Sequence, residues 1–281
     1  MTGLGNLIRR NIRLFFKDKG MFFSSLITPI ILLVLYVTFL AKVYRDSFAS
    51  AIPQGITVDE KIINAVVACQ LISSLLAVSC VTVAFCSNLL MINDKVNGAI
   101  RDLTVSPVRR STLALGYFIS SAASTLIISF SALAVGLVYV YTQGWYMTLG
   151  DVLYLILDVF LLTLFGTALS SCVNFSLTTN GQASAVGTIV SAGYGFICGA
   201  YMPMSQFGSG LQKALLFLPG TYGTSLIRNH AMAGTFRKMR EIGFPKEAIE
   251  GRVLLIAGCF SLNMRSEFRQ CILFSPVQPL H

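Results

Sequence analysis

Charged side chains are scarce in this sequence. Asp, Glu, Lys and Arg make up 12% of the 281 residues, whereas 54% of the residues are apolar. The charged share is about half of that in an average globular protein. The apolar residues fall in long runs with short polar gaps, and the mean hydropathy is +0.72. This composition excludes a soluble domain, a disordered chain and a collagen-like protein, and it predicts an all-α polytopic membrane protein.

Residues and motifs that carry chemistry are also few. The chain has two histidines, His230 and His281, which are too few for the usual metal sites. The HExxH and GxSxG patterns of hydrolases and the phosphate-binding pattern GxxxxGK[ST] are absent from the sequence. The seven cysteines form no CxxC pair and lie mostly in apolar runs, which predicts small buried side chains. An enzyme is therefore poorly supported, and no catalytic, cofactor-binding or metal-binding residue is predicted.

The apolar runs predict five membrane spans, at about residues 21–43, 62–92, 113–142, 152–173 and 183–201. A helix of the first run's length is about 35 Å long, enough to cross a hydrocarbon core about 30 Å thick. Because the connections between the runs are short, we expect the helices to pack as an antiparallel bundle.

The segments that flank the spans have predicted forms of their own. Residues 1–20 are predicted to be an amphipathic helix that lies in the cytoplasmic interface of the membrane, with apolar and basic side chains on opposite faces. Residues 44–60 are predicted to be a loop. Residues 202–252 are predicted to form re-entrant or outer helices, because the apolar stretch at 207–218 is too short to span.

The distribution of basic residues predicts the orientation. Residues 1–20 contain five Lys and Arg and the 93–112 loop contains four, whereas residues 143–151 contain none. Basic residues collect in cytoplasmic loops, so the N-terminus and the 93–112 loop are placed in the cytoplasm of a cell-membrane protein. The 21 basic residues outnumber the 12 acidic ones. We attribute this excess of positive charge to the cytoplasmic loops, and no nucleic-acid partner is predicted.

The 93–112 loop is the most informative segment. Val96, Ile100 and Leu103 have the spacing of an apolar ridge on a short helix. Ser106-Pro107 is expected to end that helix, because the residue before a proline avoids the helical region. A short amphipathic helix between two spans suits a groove on a soluble partner. On the pattern alone, an ordinary basic loop is the alternative.

Three segments carry a family resemblance. The run Asp94-Lys95-x-x-Gly98-x-Ile100-x-x-Leu103-x-x-Ser106-Pro107-Val108 resembles the first cytoplasmic loop of type-2 ATP-binding-cassette (ABC) exporter permeases, in which Glu is frequent at the first position. Residues 178–185 (TTNGQASA) are similar to the second cytoplasmic loop of that family and the start of its fifth span. The motifs Gly199-x-Tyr201-Met202-Pro203 and Leu218-Pro219-Gly220-Thr221-Tyr222 are similar to its outer re-entrant helices. Together the resemblance covers roughly residues 1–250.

The resemblance implies a six-span permease that exports an amphiphilic drug, lipid or polysaccharide. It implies a second permease copy, identical or closely related, and a separate ABC subunit that binds and hydrolyses ATP. The permease itself then binds no cofactor, and its partners are these subunits and the lipid bilayer. The loop residues expected to couple it to the ATPase are Asp94, Val96, Gly98, Ile100, Arg101, Asp102 and Leu103. A secondary transporter or a non-enzymatic membrane scaffold is the alternative.

The C-terminal part departs from the six-span pattern. Residues 253–262 form an apolar stretch only ten residues long, and charged residues and prolines follow it. We therefore expect residues 253–281 to be a truncated or non-native tail, which leaves five clear spans.

Two further features leave alternatives open. Asp158 is the one carboxylate well inside a predicted span, where a charge costs roughly 2.5–3.5 kcal/mol. It is either part of a substrate path or a partly hydrated carboxylate near the outer interface. Pairs of small residues four apart, at Gly166/Ser170, Gly187/Ser191 and Gly195/Gly199, allow close helix packing within the subunit or across a dimer seam.

Overall fold

The computed structural model describes residues 2–51, 59–105, 109–201 and 218–243, and every regular element within them is a helix. In chain order these are α1 (Thr2–Lys17), α2 (Lys19–Leu35), a π-helical turn (Tyr36–Leu40), α3 (Ala41–Ala51), α4 (Glu60–Val96), α5 (Ala99–Val105), α6 (Arg110–Gln143), α7 (Leu149–Phe175), α8 (Asn180–Ile197) and α9 (Pro219–Glu241). The predicted tail, the apolar stretch at 207–217 and Ser106-Pro107 lie outside the described residues.

Four helical segments are long and apolar enough to cross a membrane: Lys19–Asp46, Glu60–Val96, Arg110–Gln143 and Leu149–Phe175. They cover the first four predicted spans and extend each by a few residues. The predicted fifth span is the 18-residue helix α8, which ends at Ile197 rather than near residue 201. Polar side chains such as Asn180 and Gln182 lower its hydropathy, and it is not one of the four. The chain is an all-α, multi-pass membrane protein.

Helices α2 and α3 are continuous through the π-helical turn. The prediction of a loop at residues 44–60 is therefore wrong for residues 44–51, which continue the helix, while residues 52–58 are not described. Tyr44 and Phe48, one turn apart on α3, are each 4% exposed, and their rings stack 6.4 Å apart. Both belong to the main hydrophobic core, so tertiary packing carries the helix past the polar residues that indicated a loop.

Helix α4 is the centre of the bundle. It packs against α2, α3, α6, α7, α8 and α9. In its most apolar stretch of 18 residues, 89% of the residues are buried, compared with 17% in the corresponding stretch of the first span. A helix buried on all sides needs no polar stripe. Its internal polar groups find partners on neighbouring helices: Ser87 lies 3.0 Å from the Thr125 hydroxyl on α6, and the Asn88 amide donates to Ser170 on α7 at 2.7 Å.

Gly166 sets the distance between α4 and α7. A Cβ atom at this position would lie 3.0 Å from the Cys80 carbonyl oxygen and 3.1 Å from the Val81 Cα atom. The backbones of the two helices therefore approach as closely as small residues in membrane helices permit. The pair Gly166/Ser170 thus packs within the subunit.

Candidate functional site

The candidate coupling segment is a helix, a sharp turn and a second short helix. Helix α4 ends at Val96, the chain turns at Asn97–Gly98, and α5 begins at Ala99. Gly98 has a φ of +78°, a left-handed conformation that glycine adopts at helix ends without steric cost. Val96 therefore belongs to α4, whereas Ile100 and Leu103 belong to α5. The prediction of one helical ridge through Val96, Ile100 and Leu103 was wrong, because this turn changes the direction of the chain.

Helix α5 projects from the end of the bundle. None of its residues is buried. Arg101 and Asp102 are exposed, and Ile100 and Leu103 are half-buried. Val105, the last described residue of α5, is 85% exposed, and Val96 at the end of α4 is 48% exposed. Apolar side chains are therefore presented outward beside two charged ones, an arrangement that fits an interaction surface.

Asp94, in the last turn of α4, is held by two other helices. The Arg10 guanidinium on α1 donates to its carboxylate through Nη1 at 2.7 Å and Nη2 at 3.2 Å. The Tyr117 hydroxyl on α6 donates to the same carboxylate at 2.5 Å. The Asp94 side chain is 9% exposed and that of Arg10 is 37% exposed. The hydrogen bond from Arg10 to Asp94 raises the Arg10 pKa and outweighs the opposing effect of burial, so Arg10 stays protonated.

Lys95 ties the end of α4 to the end of α7. Its ammonium group donates to the carbonyl oxygens of Asn174 at 3.2 Å, Phe175 at 2.7 Å and Leu177 at 3.0 Å. The last carbonyls of a helix lack partners within the helix and carry its negative dipole end, so a lysine is well suited to this position. The ammonium also lies 5.4 Å from the centre of the Phe175 ring.

We refer to Arg10, Asp94, Lys95 and Tyr117 as the junction. Through these four side chains the residues just before α5 are fixed to α1, α6 and α7. Sequence reasoning named Asp94 as a coupling residue but missed Arg10, Tyr117 and the role of Lys95. Arg10 lies 84 positions from Asp94, and nothing local in the sequence indicates that pairing.

Helix α1 packs against α6. A Cβ atom at Gly116 of α6 would lie 2.3 Å from Leu7 Cδ2, so the absence of a side chain there makes room for Leu7. The buried Asn11 amide donates to Ser120 on α6 at 3.4 Å. Phe15 is 1% exposed. One face of the amphipathic helix is thus covered by protein, while Arg9 and Arg13 are exposed.

Toward the opposite end of the bundle, two carboxylates of α7 each pair with a side chain of α9. His230 Nδ1 lies 2.5 Å from the Asp158 carboxylate, and its ring stacks on Tyr154 at 5.1 Å. In the first turn of α7, Asp151 pairs with Arg237. The seven-residue spacing of Asp151 and Asp158 recurs in His230 and Arg237. This match is compatible with the pairing, but by itself it does not identify the partners.

Arg228 on α9 is a buried cation that the sequence analysis did not single out. It is 1% exposed and donates to the Ser74 hydroxyl at 3.1 Å and to the Gly199 carbonyl at 2.5 Å. Gly199 lies just beyond the C-terminus of α8, where a guanidinium balances the negative end of the helix dipole. Arg228 thus fixes α9 against both α4 and the end of α8.

A cleft of about 490 Å³ runs between α2, α4 and α8. Its lining includes Ser24 and Thr28 of α2, Phe85 of α4, and Gly187 and Ser191 of α8. A Cβ atom at Gly187 would meet nothing within 4 Å, so the part of the chain that the structure describes does not cover this small-residue face of α8. No group of three His, Cys, Asp or Glu side chains that could hold a metal occurs within the described ranges.

The chain matches a family model described as ABC-2 type transporter over residues 2–231, a range that contains α5 and the whole junction. The match confirms the predicted family resemblance. No curated protein and no solved structure matches the chain.

Proposed function

Because this chain belongs to the ABC-2 type transporter family and is a transmembrane permease subunit of that kind, we propose that it exports an amphiphile, driven by a separate ATP-binding subunit. The N-terminus and α5 would then lie in the cytoplasm and the chain in the cell membrane. The observation that carries the proposal is the placement of α5, a helix with no buried residue attached directly to the junction.

In the proposed mechanism, α5 docks into a groove of the ATP-binding subunit. Ile100 and Leu103 supply apolar contacts, and the exposed Arg101 and Asp102 supply charges at the rim. Gly98 fixes the angle at which α5 leaves the bundle. Displacement of α5 when ATP binds would be passed through Asp94 to α1 and α6, and through Lys95 to α7. Because the charged contacts of the junction join these helices, they would move together as a rigid body when the ATP-binding subunit changes its conformation.

The cleft between α2 and α8 is the candidate substrate path. Its apolar walls with scattered hydroxyls suit an amphiphile. The uncovered face with Gly187 and Ser191 suits close contact with a second permease copy, because small residues let membrane helices approach. Asp158, at the other end of the bundle, would contact substrate only if its pairing with His230 opened.

Docking through α5 is tested by Leu103→Asp in the complex of the tagged chain with the ATPase that co-purifies with it. A carboxylate on the apolar face of α5 would be desolvated on docking, so we expect the loss of permease-stimulated ATP hydrolysis with unchanged membrane insertion. Thr104→Asp adds the same charge at an exposed position of the same helix and should retain most of the stimulation. Unchanged ATP hydrolysis in Leu103→Asp, or failure of any ATPase to co-purify, would contradict the proposal.

A secondary transporter is the second candidate, and the contact of the buried Asp158 carboxylate with the half-buried His230 is the observation that favours it. The two mechanisms separate in sealed vesicles. Export that continues without ATP and follows an imposed proton gradient would support the secondary transporter, whereas export that requires ATP supports the permease.

A further inference from the structure

A second cleft, of about 250 Å³, lies at the end of the bundle opposite α5, between α3, α4 and α6. Its polar lining is Lys42 and Arg45 of α3, Asn64 of α4, and Tyr139 and Gln143 of α6. Two cations and three neutral side chains that can donate hydrogen bonds therefore converge on it. No carboxylate is among the described lining residues. Such a donor set suits a phosphate group.

The two cations are accessible to a ligand. Lys42 is exposed. Arg45 forms an ion pair with Glu60 at 3.2 Å, in which the two side chains are 44% and 83% exposed. Exposed pairs of this kind contribute little free energy, so an anion can replace Glu60 as the partner of Arg45 at small cost.

The position along the helices places the cleft at the level of lipid headgroups. Along the continuous helix formed by α2, the π-helical turn and α3, Lys42 is 23 positions from Lys19, or about 35 Å, which is enough to cross a hydrocarbon core about 30 Å thick. Tyr141 and Trp145 lie near the same end of α6 with their rings 6.2 Å apart, as expected for aromatic residues at a membrane interface.

The helix surfaces that continue from the cleft toward the middle of the membrane are apolar and exposed. Phe39, one turn before Lys42, is 62% exposed, and Val135, one turn before the lining residue Tyr139 on α6, is 57% exposed. A free anion would gain nothing from contact with these apolar surfaces, whereas an acyl chain attached to a phosphate would pack against them.

We infer that this cleft binds the phosphate group of a phospholipid in the leaflet opposite α5. Lys42 and Arg45 pair with the phosphate oxygens, and Asn64, Tyr139 and Gln143 donate to the phosphate and headgroup oxygens. An acyl chain follows Phe39 and Val135. The site does not depend on ATP coupling, because none of its residues belongs to the junction or to α5.

The test is the affinity of the purified protein in detergent for phosphatidylglycerol, followed by native mass spectrometry. Each cation near a lipid headgroup contributes about five-fold in affinity, so Lys42→Gln combined with Arg45→Gln should weaken binding about 30-fold. Lys61→Gln removes an exposed cation near the same end of α4 but outside the lining, and it should leave the affinity unchanged. Tyr139→Phe keeps the charge and is expected to weaken binding about five-fold through one lost hydrogen bond.

Two further ligands, phosphatidylcholine and inorganic phosphate, test which class of anion the cleft binds. Phosphatidylcholine has the same phosphate but a cationic headgroup, and it should bind more weakly than phosphatidylglycerol. Millimolar inorganic phosphate should not displace the bound lipid, and displacement would show a site for a free anion and overturn the assignment. Wild-type affinity in both the double variant and Tyr139→Phe, or an equal loss in Lys61→Gln, would also overturn it.

Discussion

Replacing Arg10 with Gln would leave the Asp94 carboxylate with Tyr117 as its remaining partner in the junction. The substitution keeps a polar side chain on α1 but removes the charge and the two-pronged contact with Asp94. We expect α1 to open more readily from α4 and α6, and the movement of α5 to reach α1 less efficiently.

The free energy lost in Arg10→Gln can be estimated from the burial of the Arg10 and Asp94 side chains. A hydrogen bond to a charged group contributes about 1.5–3 kcal/mol when it is shielded from water. Asp94 is shielded, but Arg10 is 37% exposed, and water weakens its contribution. We therefore expect the substitution to destabilise the packed position of α1 by about 1–3 kcal/mol. The midpoint of this range corresponds to about a 30-fold rise in the population with α1 opened.

Hydrogen exchange of the α1 amides in lipid nanodiscs measures this population. Arg10→Gln should raise the exchange of protected α1 amides about 30-fold, and it should lower permease-stimulated ATP hydrolysis by the partner subunit. Arg9→Gln and Arg13→Gln, which remove exposed charges from the same helix, are the matched controls and should behave as the wild type. Equal exchange in Arg10→Gln and in these controls would refute the structural role given to the Arg10–Asp94 pair.

Two further substitutions probe other contacts. Gly116→Leu should lower the melting temperature, because its Cβ alone would lie 2.3 Å from Leu7 Cδ2, and overpacking costs about 1–3 kcal/mol. Gly5→Leu, whose Cβ has nothing within 4 Å, is the control, and equal melting of the two variants would contradict the packing of α1 on α6. His230→Leu should destabilise the fold by about 2–4 kcal/mol by leaving Asp158 buried without its partner, whereas adding Asp158→Leu should restore most of the stability. If the double variant is stable but no longer transports, Asp158 belongs to the substrate path; if it transports normally, the pair serves only to join α7 and α9.

The helical spans could be predicted from the sequence because hydropathy is a local property. The predicted runs at 62–92, 113–142 and 152–173 lie inside α4, α6 and α7, and each helix extends only a few residues further. Charged and polar residues such as Asp94 and Lys95 ended the predicted runs, but in the structure they continue the helix because their side chains find partners on α1, α6 and α7.

The pairings that organise the two ends of the bundle could not be predicted from one sequence. Asp94 with Arg10 and Asp158 with His230 are contacts across 84 and 72 positions. Hydropathy shows that such charges require partners but does not identify them. The turn at Gly98 was also missed, because a glycine inside a helical pattern is compatible with continuation as well as with termination.

The side of the membrane on which α5 lies tests the account most directly. In a background without the native cysteines, Val105→Cys should resist a membrane-impermeant thiol reagent in intact cells and react once the membrane is permeabilised. Leu149→Cys, which is similarly exposed at the opposite end of the bundle (86% compared with 85% for Val105), should react in intact cells. Labelling of Val105→Cys in intact cells would place α5 outside, where no ATP-binding subunit could reach it, and would contradict the proposed function.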